Sequence, residues 1–194
     1  MNTLKLFLVG IACSLSIKNI EAQFRAKVGF TYSEISYHSV INANLYSPSL
    51  GFTGGIYYSK ILNSTLGVET GVSYFNIGAT KSKQGNLDWK HSYLGIPLVL
   101  SIQPSAILSP GIGVMFSKKI KSDMSFDNLY DSTLDFSGMI RINFNIFPNI
   151  SFELGYNHGF IPFSEVVETD SIGEVLNVSK YTNRHLFLTV NFRM

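Results

Sequence analysis

The chain has 194 residues, of which 45% are apolar and only 14% are charged, and its formal net charge is +2 at pH 7. This length favours a single domain, and a charge so close to zero argues against a nucleic-acid partner. Fifteen Phe, ten Tyr and 16 Gly are typical of an all-β protein, and the low charge suits one that meets lipid.

The N-terminal residues 1–22 have the pattern of a secretory signal peptide. A basic residue, Lys5, precedes an apolar core at 6–15, and a polar stretch then leads to Ala22. The core is about ten residues long, which is too short for a membrane-spanning helix. We therefore expect cleavage near Ala22, and a mature domain that covers residues 23–194. Cys13, the only cysteine, lies in the signal, so the mature chain can form no disulfide.

Segments in which apolar and polar residues alternate fill most of the mature chain, and this period of two predicts β-strands. Most of them are longer than the five or six residues of an ordinary strand, and about the length that a tilted strand needs to cross a bilayer. Eight such segments occur, at residues 24–35, 49–60, 65–78, 90–102, 105–117, 133–146, 149–160 and 181–194.

Residues 94–116 include no charged residue and are numerous enough for a membrane-spanning helix, but they contain three prolines, Pro97, Pro104 and Pro110. Each proline inside a helix removes a backbone donor and costs roughly 3 kcal/mol. Alternating apolar residues on both sides of Pro104 predict instead two strands joined by a tight turn.

The two faces of the predicted strands differ in a way that indicates their surroundings. One face is rich in Phe, Ile, Leu and Val, and the opposite face is mostly Gly, Ser, Thr and Asn rather than the Lys and Glu of water-facing strands. This favours a barrel with its apolar face toward lipid and small polar residues inside. The alternative is a soluble, lipocalin-like barrel with its apolar face inward.

The connections between the segments alternate strictly between short and long. Short turns at 63–64, 103–105 and 147–149 alternate with loops at 36–48, 79–89, 118–132 and 161–180. This alternation is typical of outer-membrane barrels, which have short periplasmic turns and long outer loops. The sequence therefore predicts an all-β fold: an eight-stranded antiparallel up-and-down transmembrane β-barrel.

Aromatic residues near the predicted strand ends are expected at the two membrane interfaces. They are Tyr32, Tyr58, Tyr74, Trp89, Tyr93, Phe116, Tyr156, Phe160 and Tyr181.

Charged residues on the predicted inner face should form ion pairs, because unpaired charges in a narrow lumen are costly. The predicted polar network comprises Arg25, Lys27, Glu69, Asp135, Arg141, Glu153 and Arg193, with His185 on the same face. Arg141 and Glu153 flank the turn at 147–149 and are expected to meet on adjacent strands. The alternative is a gated polar path for small solutes.

Enzymatic and metal sites are not indicated. His38-Ser39 and His91-Ser92 are adjacent pairs, and neighbouring strand residues point to opposite faces, so neither pair unites a nucleophile with its base. The chain contains no Gly-x-Ser-x-Gly motif. Acidic residues in the loops at 118–132 and 161–180 lack the spacing of an EF-hand. We expect no catalytic residue, cofactor or metal.

Several motifs together resemble a known family. They are Glu-Ala-Gln at the end of the signal, Tyr-Leu-Gly-Ile-Pro-Leu-Val-Leu at 93–100, Pro-Gly-Ile-Gly-Val at 110–114 and Phe-Glu-Leu-Gly-Tyr at 152–156. The sequence resembles the PorT-like, or porin-family, outer-membrane β-barrel proteins of Bacteroidetes over essentially the whole mature chain. The resemblance implies an eight-stranded barrel in the bacterial outer membrane, and the family's namesake has a role in type IX secretion.

The leading hypothesis is therefore a non-enzymatic, monomeric outer-membrane barrel whose loops at 118–132 and 161–180 carry recognition. Its expected partners are outer-membrane lipid, lipopolysaccharide and other envelope proteins. One alternative is a component of a secretion or envelope-assembly machine, and another is a narrow channel for ions or small solutes.

Overall fold

A computed structural model of the chain describes residues 22–38, 46–81, 89–102, 107–122, 130–131, 133–162, 164–169 and 175–194. Within these ranges all regular structure is β. The strands are β1 (Ala22–His38), β2 (Tyr46–Ile61), β3 (Leu66–Lys81), β4 (Trp89–Ile102), β5 (Leu108–Ser122), β6 (Tyr130–Asp131), β7 (Leu134–Asn145), β8 (Ile150–Gly159), β9 (Ser164–Thr169) and β10 (Val175–Arg193).

Eight of these strands form a closed antiparallel barrel in the order β1-β2-β3-β4-β5-β7-β8-β10. The ring is closed by β1 and β10, which pair from Arg25 opposite Arg193 to His38 opposite Lys180. Closure pairs the backbone groups of the first and last strands, so the sheet needs no open edge within lipid. The predicted eight-stranded up-and-down barrel is confirmed.

The short turns and the C-terminus lie at the same end of the barrel. In the turn at 62–65, the Asn63 side-chain oxygen accepts hydrogen bonds from the backbone N–H groups of Thr65 and Leu66, at 2.9 and 2.8 Å. The turn at 146–149 joins β7 to β8. The Met194 N–H donates to the Phe24 carbonyl at 3.0 Å, next to the start of β1. The turn predicted at 103–105 lies outside the described residues.

At the opposite end the strands run further than the alternation predicted. β5 continues to Ser122, and β10 begins at Val175 rather than near residue 181. The loop predicted at 161–180 contains β9, which pairs with the first part of β10. The residues that form these extensions show no clear alternation of apolar and polar residues. This part of the sheet lies beyond the band of exposed apolar side chains on the outer face of the barrel.

The outer and inner faces of the barrel have opposite polarity. On β4, Leu94, Ile96, Leu98 and Leu100 are each more than 40% exposed, while the alternate residues from Tyr93 to Val99 are buried inside the barrel. Exposed Phe, Leu and Ile side chains recur on the outer face of the other barrel strands. An apolar surface of this extent is stable in lipid rather than in water.

The aromatic residues divide between the two faces. Tyr32, Tyr74 and Phe116 are exposed on the outer surface, whereas Tyr93 and Tyr181 are buried. The expected interfacial position is therefore wrong for Tyr93 and Tyr181, because both occupy the inward phase of their strands. In the described part of the chain, no helix is long and apolar enough to cross a membrane.

Candidate functional site

Four charged side chains from four strands meet inside the lumen. Lys27 lies on β1, Glu69 on β3, Arg141 on β7 and Glu153 on β8, and all four are buried. Each is on the inward phase of its strand, so closure of the sheet directs all four toward the barrel axis. We call these four residues the lumen ion-pair ring.

Each cation of the lumen ion-pair ring contacts both carboxylates. Lys27 Nζ lies 2.6 Å from Glu69 Oε1 and 2.8 Å from Glu153 Oε2. Arg141 Nη1 lies 3.0 Å from Glu153 Oε2 and also donates to Glu69 Oε1. Positive and negative charges therefore alternate around the ring, which has no net charge. Each buried charge is compensated by its neighbours, so loss of one side chain leaves another charge buried without compensation.

Small and aromatic neighbours make room for the two cations. Both residues opposite Arg141 on the adjacent strands are glycines, Gly111 and Gly155. A Cβ atom at position 111 would lie 3.2 Å from Arg141 Nε. Any residue other than glycine would therefore require the guanidinium group to shift. Lys27 Nζ lies 4.3 Å from the ring centroid of Tyr57, in a cation–π contact.

An apolar layer lies next to the lumen ion-pair ring. Phe75 stacks on Tyr93 with ring centroids 5.4 Å apart, and it also stacks on His185 at 5.3 Å. We call the following buried residues the lumen apolar layer: Phe75, Ile77, Tyr93, Val99, Met115, Met139 and Phe187. A cavity of only about 30 Å³ separates this layer from Arg141 and Glu153. A cavity of this volume has room for a water molecule.

Sequence reasoning missed the lumen apolar layer because it treated the inner face as polar throughout. The available signal was the local loss of alternation. Met115 lies between Val114 and Phe116, and Phe187 lies between Leu186 and Leu188, so both phases of these strands are apolar at that depth.

The other predicted lumen residues are distributed along the barrel. Asp135 is separated from the ring along β7 by Met139, and it accepts a hydrogen bond from Asn183 at 3.3 Å. Asn183 also donates to the Tyr93 hydroxyl at 3.0 Å. His185 is buried and pairs with Asn157 at 2.9 Å. Asp135 is thus outside the ring in which Arg141 takes part.

Arg25 and Arg193 lie on the other side of the ring, at the mouth formed by the short turns. Arg25 Nη1 is 3.8 Å from Glu69 Oε2, a distance that gives only a loose ion pair. Both arginines line a cavity of about 330 Å³ that opens at this mouth. We call it the short-turn cavity.

A small sheet rises from the opposite end of the barrel. β9 pairs with the first part of β10, from Val175 opposite Thr169 to Tyr181 opposite Ser164, and β6 pairs with β9. We call β6, β9 and residues 175–181 of β10 the long-loop sheet. It joins the two loops predicted at 118–132 and 161–180, because β6 belongs to the first and β9 to the second.

The described residues hold no group of three or more His, Cys, Asp or Glu side chains that could bind a metal ion. The acidic residues at positions 123, 127, 170 and 174 lie outside the described residues.

The chain matches a known protein family over almost its whole length. The family described as "Outer membrane protein beta-barrel domain" matches residues 6–192. The chain belongs to this family. It is therefore an integral outer-membrane β-barrel protein, and the apolar outer face is its lipid-facing surface. No curated protein matches the chain.

Solved structures of outer-membrane barrels share the fold. Neisserial surface protein A has a TM-score of 0.57 and 16% identity, over 90% of this chain and 99% of that one. Ail, the attachment invasion locus protein of Yersinia pestis, in complex with a heparin analogue, has a TM-score of 0.51 and 15% identity over 90% and 99%. OprG of Pseudomonas aeruginosa has a TM-score of 0.51 and 15% identity over 91% and 97%. Identities this low show a common fold alone.

Proposed function

We propose that this barrel is a non-enzymatic, monomeric surface protein whose long-loop sheet recognises a partner outside the cell. The observation that carries the proposal is the pairing of β6 with β9, through Tyr130 opposite Glu165 and Asp131 opposite Ser164. It joins the described parts of two long loops beyond the exposed apolar side chains of the barrel wall. Loops held on a rigid scaffold are the usual place for binding residues. Closure through β1 and β10 leaves no barrel edge for pairing with a second copy, which supports a monomer.

The filled lumen supports recognition over transport. The lumen ion-pair ring and the lumen apolar layer occupy successive depths of the barrel, and the cavity that both of them line has a volume of about 30 Å³. Eight strands enclose little more than their own side chains. A solute would have to separate Lys27 and Arg141 from both carboxylates before it could pass.

Labelling of single cysteines tests the orientation on which recognition depends. Val167→Cys in β9 is compared with Asn149→Cys in the short turn, and the parent chain controls for Cys13. A membrane-impermeant maleimide should label position 167 on intact cells, and position 149 only after the outer membrane is opened. Labelling of position 149 on intact cells would show that the barrel has the opposite orientation, and would refute the proposal.

In-cell photocrosslinking tests recognition itself. A photoreactive amino acid at position 167 should give a discrete protein or glycan adduct, and the same amino acid at position 149 should not give that adduct. Absence of any adduct at position 167 in correctly oriented barrels, with lipid adducts alone, would contradict a recognition role.

We also propose that lipopolysaccharide contacts the barrel near the long-loop end. A cavity of about 180 Å³ on this side is lined by Tyr74, Asn76, Lys90, Ser92 and Lys121, next to exposed Leu50. Lysines beside an apolar surface suit a phosphorylated lipid headgroup. Lys90→Gln should lower the urea midpoint of the barrel in vesicles that contain lipopolysaccharide and leave it unchanged in phosphatidylcholine. Equal effects in both lipids would contradict the contact.

Resemblance to the PorT-like proteins of Bacteroidetes supports a second candidate, a part in protein secretion. The resemblance is carried by residues 93–100, which form most of β4, and by 110–114 in β5. Deletion of the gene should then reduce the set of exported proteins, whereas an unchanged set would remove this candidate.

A further inference from the structure

The short-turn cavity has a strong excess of positive charge. Arg25, Lys60, Arg141 and Arg193 line it, against the single carboxylate of Glu69. Glu69 is already bound by Lys27 and Arg141 in the lumen ion-pair ring. Lys60 has a partner of its own and Arg141 is balanced within the lumen ion-pair ring, so the excess rests on Arg25 and Arg193.

Two of these arginines face each other directly. Arg25 and Arg193 are cross-strand partners in the β1–β10 pairing. Like charges directly opposite each other destabilise a sheet. Both side chains line the cavity, and an anion between or beside them would offset their repulsion.

The third arginine, Arg141, lines the inner end of the same cavity. Arg141 is 7% exposed, and within the described residues its Nε has no hydrogen-bond partner. A buried donor without an acceptor is costly, and a guanidinium matches the planar geometry of carboxylate and phosphate groups. The Nε atom is closed off from solvent, so an anion in the cavity would meet Arg25 and Arg193 instead.

We propose that the short-turn cavity binds a small, water-soluble oxyanion with more than one negative charge, such as a di- or triphosphate or a polycarboxylate. The volume of about 330 Å³ lies at the lower end of the range for small-molecule sites, about 300–1,000 Å³. Amide and hydroxyl groups of Ser59, Ser101 and Asn145 also line the wall. Because the cavity opens at the short-turn end, its ligand comes from the periplasm.

The chain's four arginines allow the site to be observed directly by NMR. Arg25, Arg141 and Arg193 belong to the cavity, while Arg184 pairs with Glu34 elsewhere on the barrel and serves as an internal control. The folded barrel in a zwitterionic detergent is titrated with pyrophosphate, and separately with citrate, at constant ionic strength. The four Nε–Hε signals are assigned by single Arg→Lys variants.

The cavity signals should shift and saturate with at least one of the two anions, while the Arg184 signal stays constant. Arg193→Gln should weaken binding about tenfold or more, since it removes a charge-assisted contact. Arg184→Gln should leave the affinity unchanged. Arg193 is the second-last residue and exposed, so its replacement leaves the lumen ion-pair ring intact, and heat-modified gel mobility verifies folding.

Three results would overturn the proposal. The first is that neither anion shifts the cavity signals in a saturable way. The second is that all four signals shift together and in proportion to concentration, as nonspecific screening requires. The third is a response to phosphatidylglycerol added to the micelles but not to pyrophosphate or citrate, which would make the ligand a lipid headgroup.

Discussion

At the residue scale, the lumen ion-pair ring combines local and distant contributions. Arg141 and Glu153 flank the turn at 146–149, and the register pairs Arg141 with Gly155 and Asn143 with Glu153. Their proximity therefore follows from the sequence once a tight turn is recognised. The contribution of Lys27 and Glu69 does not, because contacts across the lumen depend on how far each strand is shifted when the barrel closes.

Removal of one cation from the ring should destabilise the barrel strongly. In Arg141→Leu, Glu69 and Glu153 would share Lys27, and Arg25 would add only its loose contact with Glu69, so one buried negative charge would be poorly compensated. We expect a loss of about 3–5 kcal/mol in the free energy of unfolding, measured by urea titration in phospholipid vesicles.

A matched exposed pair and a double variant complete this test. Arg184 and Glu34 are 3.1 Å apart but 36% and 48% exposed, so Arg184→Leu should cost at most about 1 kcal/mol. Combining Arg141→Leu with Glu153→Leu leaves the neutral pair of Lys27 and Glu69, and should be less destabilising than Arg141→Leu alone. An unchanged midpoint for Arg141→Leu would show that the ring does not stabilise the fold.

Gly155 is a second residue with a specific steric role. A Cβ at this position would lie 2.1 Å from Phe187 Cζ, and Phe187 belongs to the lumen apolar layer. Gly155→Ala should therefore destabilise the barrel by about 1–3 kcal/mol, as overpacking does. Gly54→Ala, whose nearest contacts would be 3.4 Å away, is the control and should be close to neutral. If Phe187→Leu does not reduce the cost of Gly155→Ala, the clash is not its cause.

At the element scale, the alternation of apolar and polar residues predicted the strands well where they face lipid. It predicted them poorly where they extend beyond the lipid. The apolar phase on β4 follows from lipid contact, so the central parts of the strands were predictable. β9 and the early start of β10 were not, because their pairing with each other replaces lipid contact as the reason for extended structure. The same applies to the two-residue β6, which is too short to show any period.

The depth of a charge on the outer face should decide its cost. Ile140 is 57% exposed on the outer face of β7, and Ile146 is 58% exposed in the short turn. Ile140→Arg should destabilise the barrel in vesicles by about 2–4 kcal/mol, and Ile146→Arg by only about 0–1 kcal/mol, because the charge at 146 reaches water. Equal costs in the urea titration would mean that Ile140 does not face the lipid core.

At the scale of the whole molecule, polarity is layered along the barrel axis as well as reversed across its wall. The short-turn cavity, the lumen ion-pair ring, the lumen apolar layer and the group around Asp135 follow one another along the lumen. The reversal across the wall could be read from the sequence. The layering could not, because it requires the relative heights of side chains from strands that are far apart in the chain.

The central claim is that these layers close the lumen of a membrane-spanning barrel, and conductance in a planar bilayer tests it most directly. The barrel should first be verified by its shift in gel mobility between unboiled and boiled samples. The folded wild-type protein should then insert without discrete conductance steps over a range of applied voltages. Reproducible single-channel steps from the folded protein would contradict the account, and would show that the lumen ion-pair ring opens as a path.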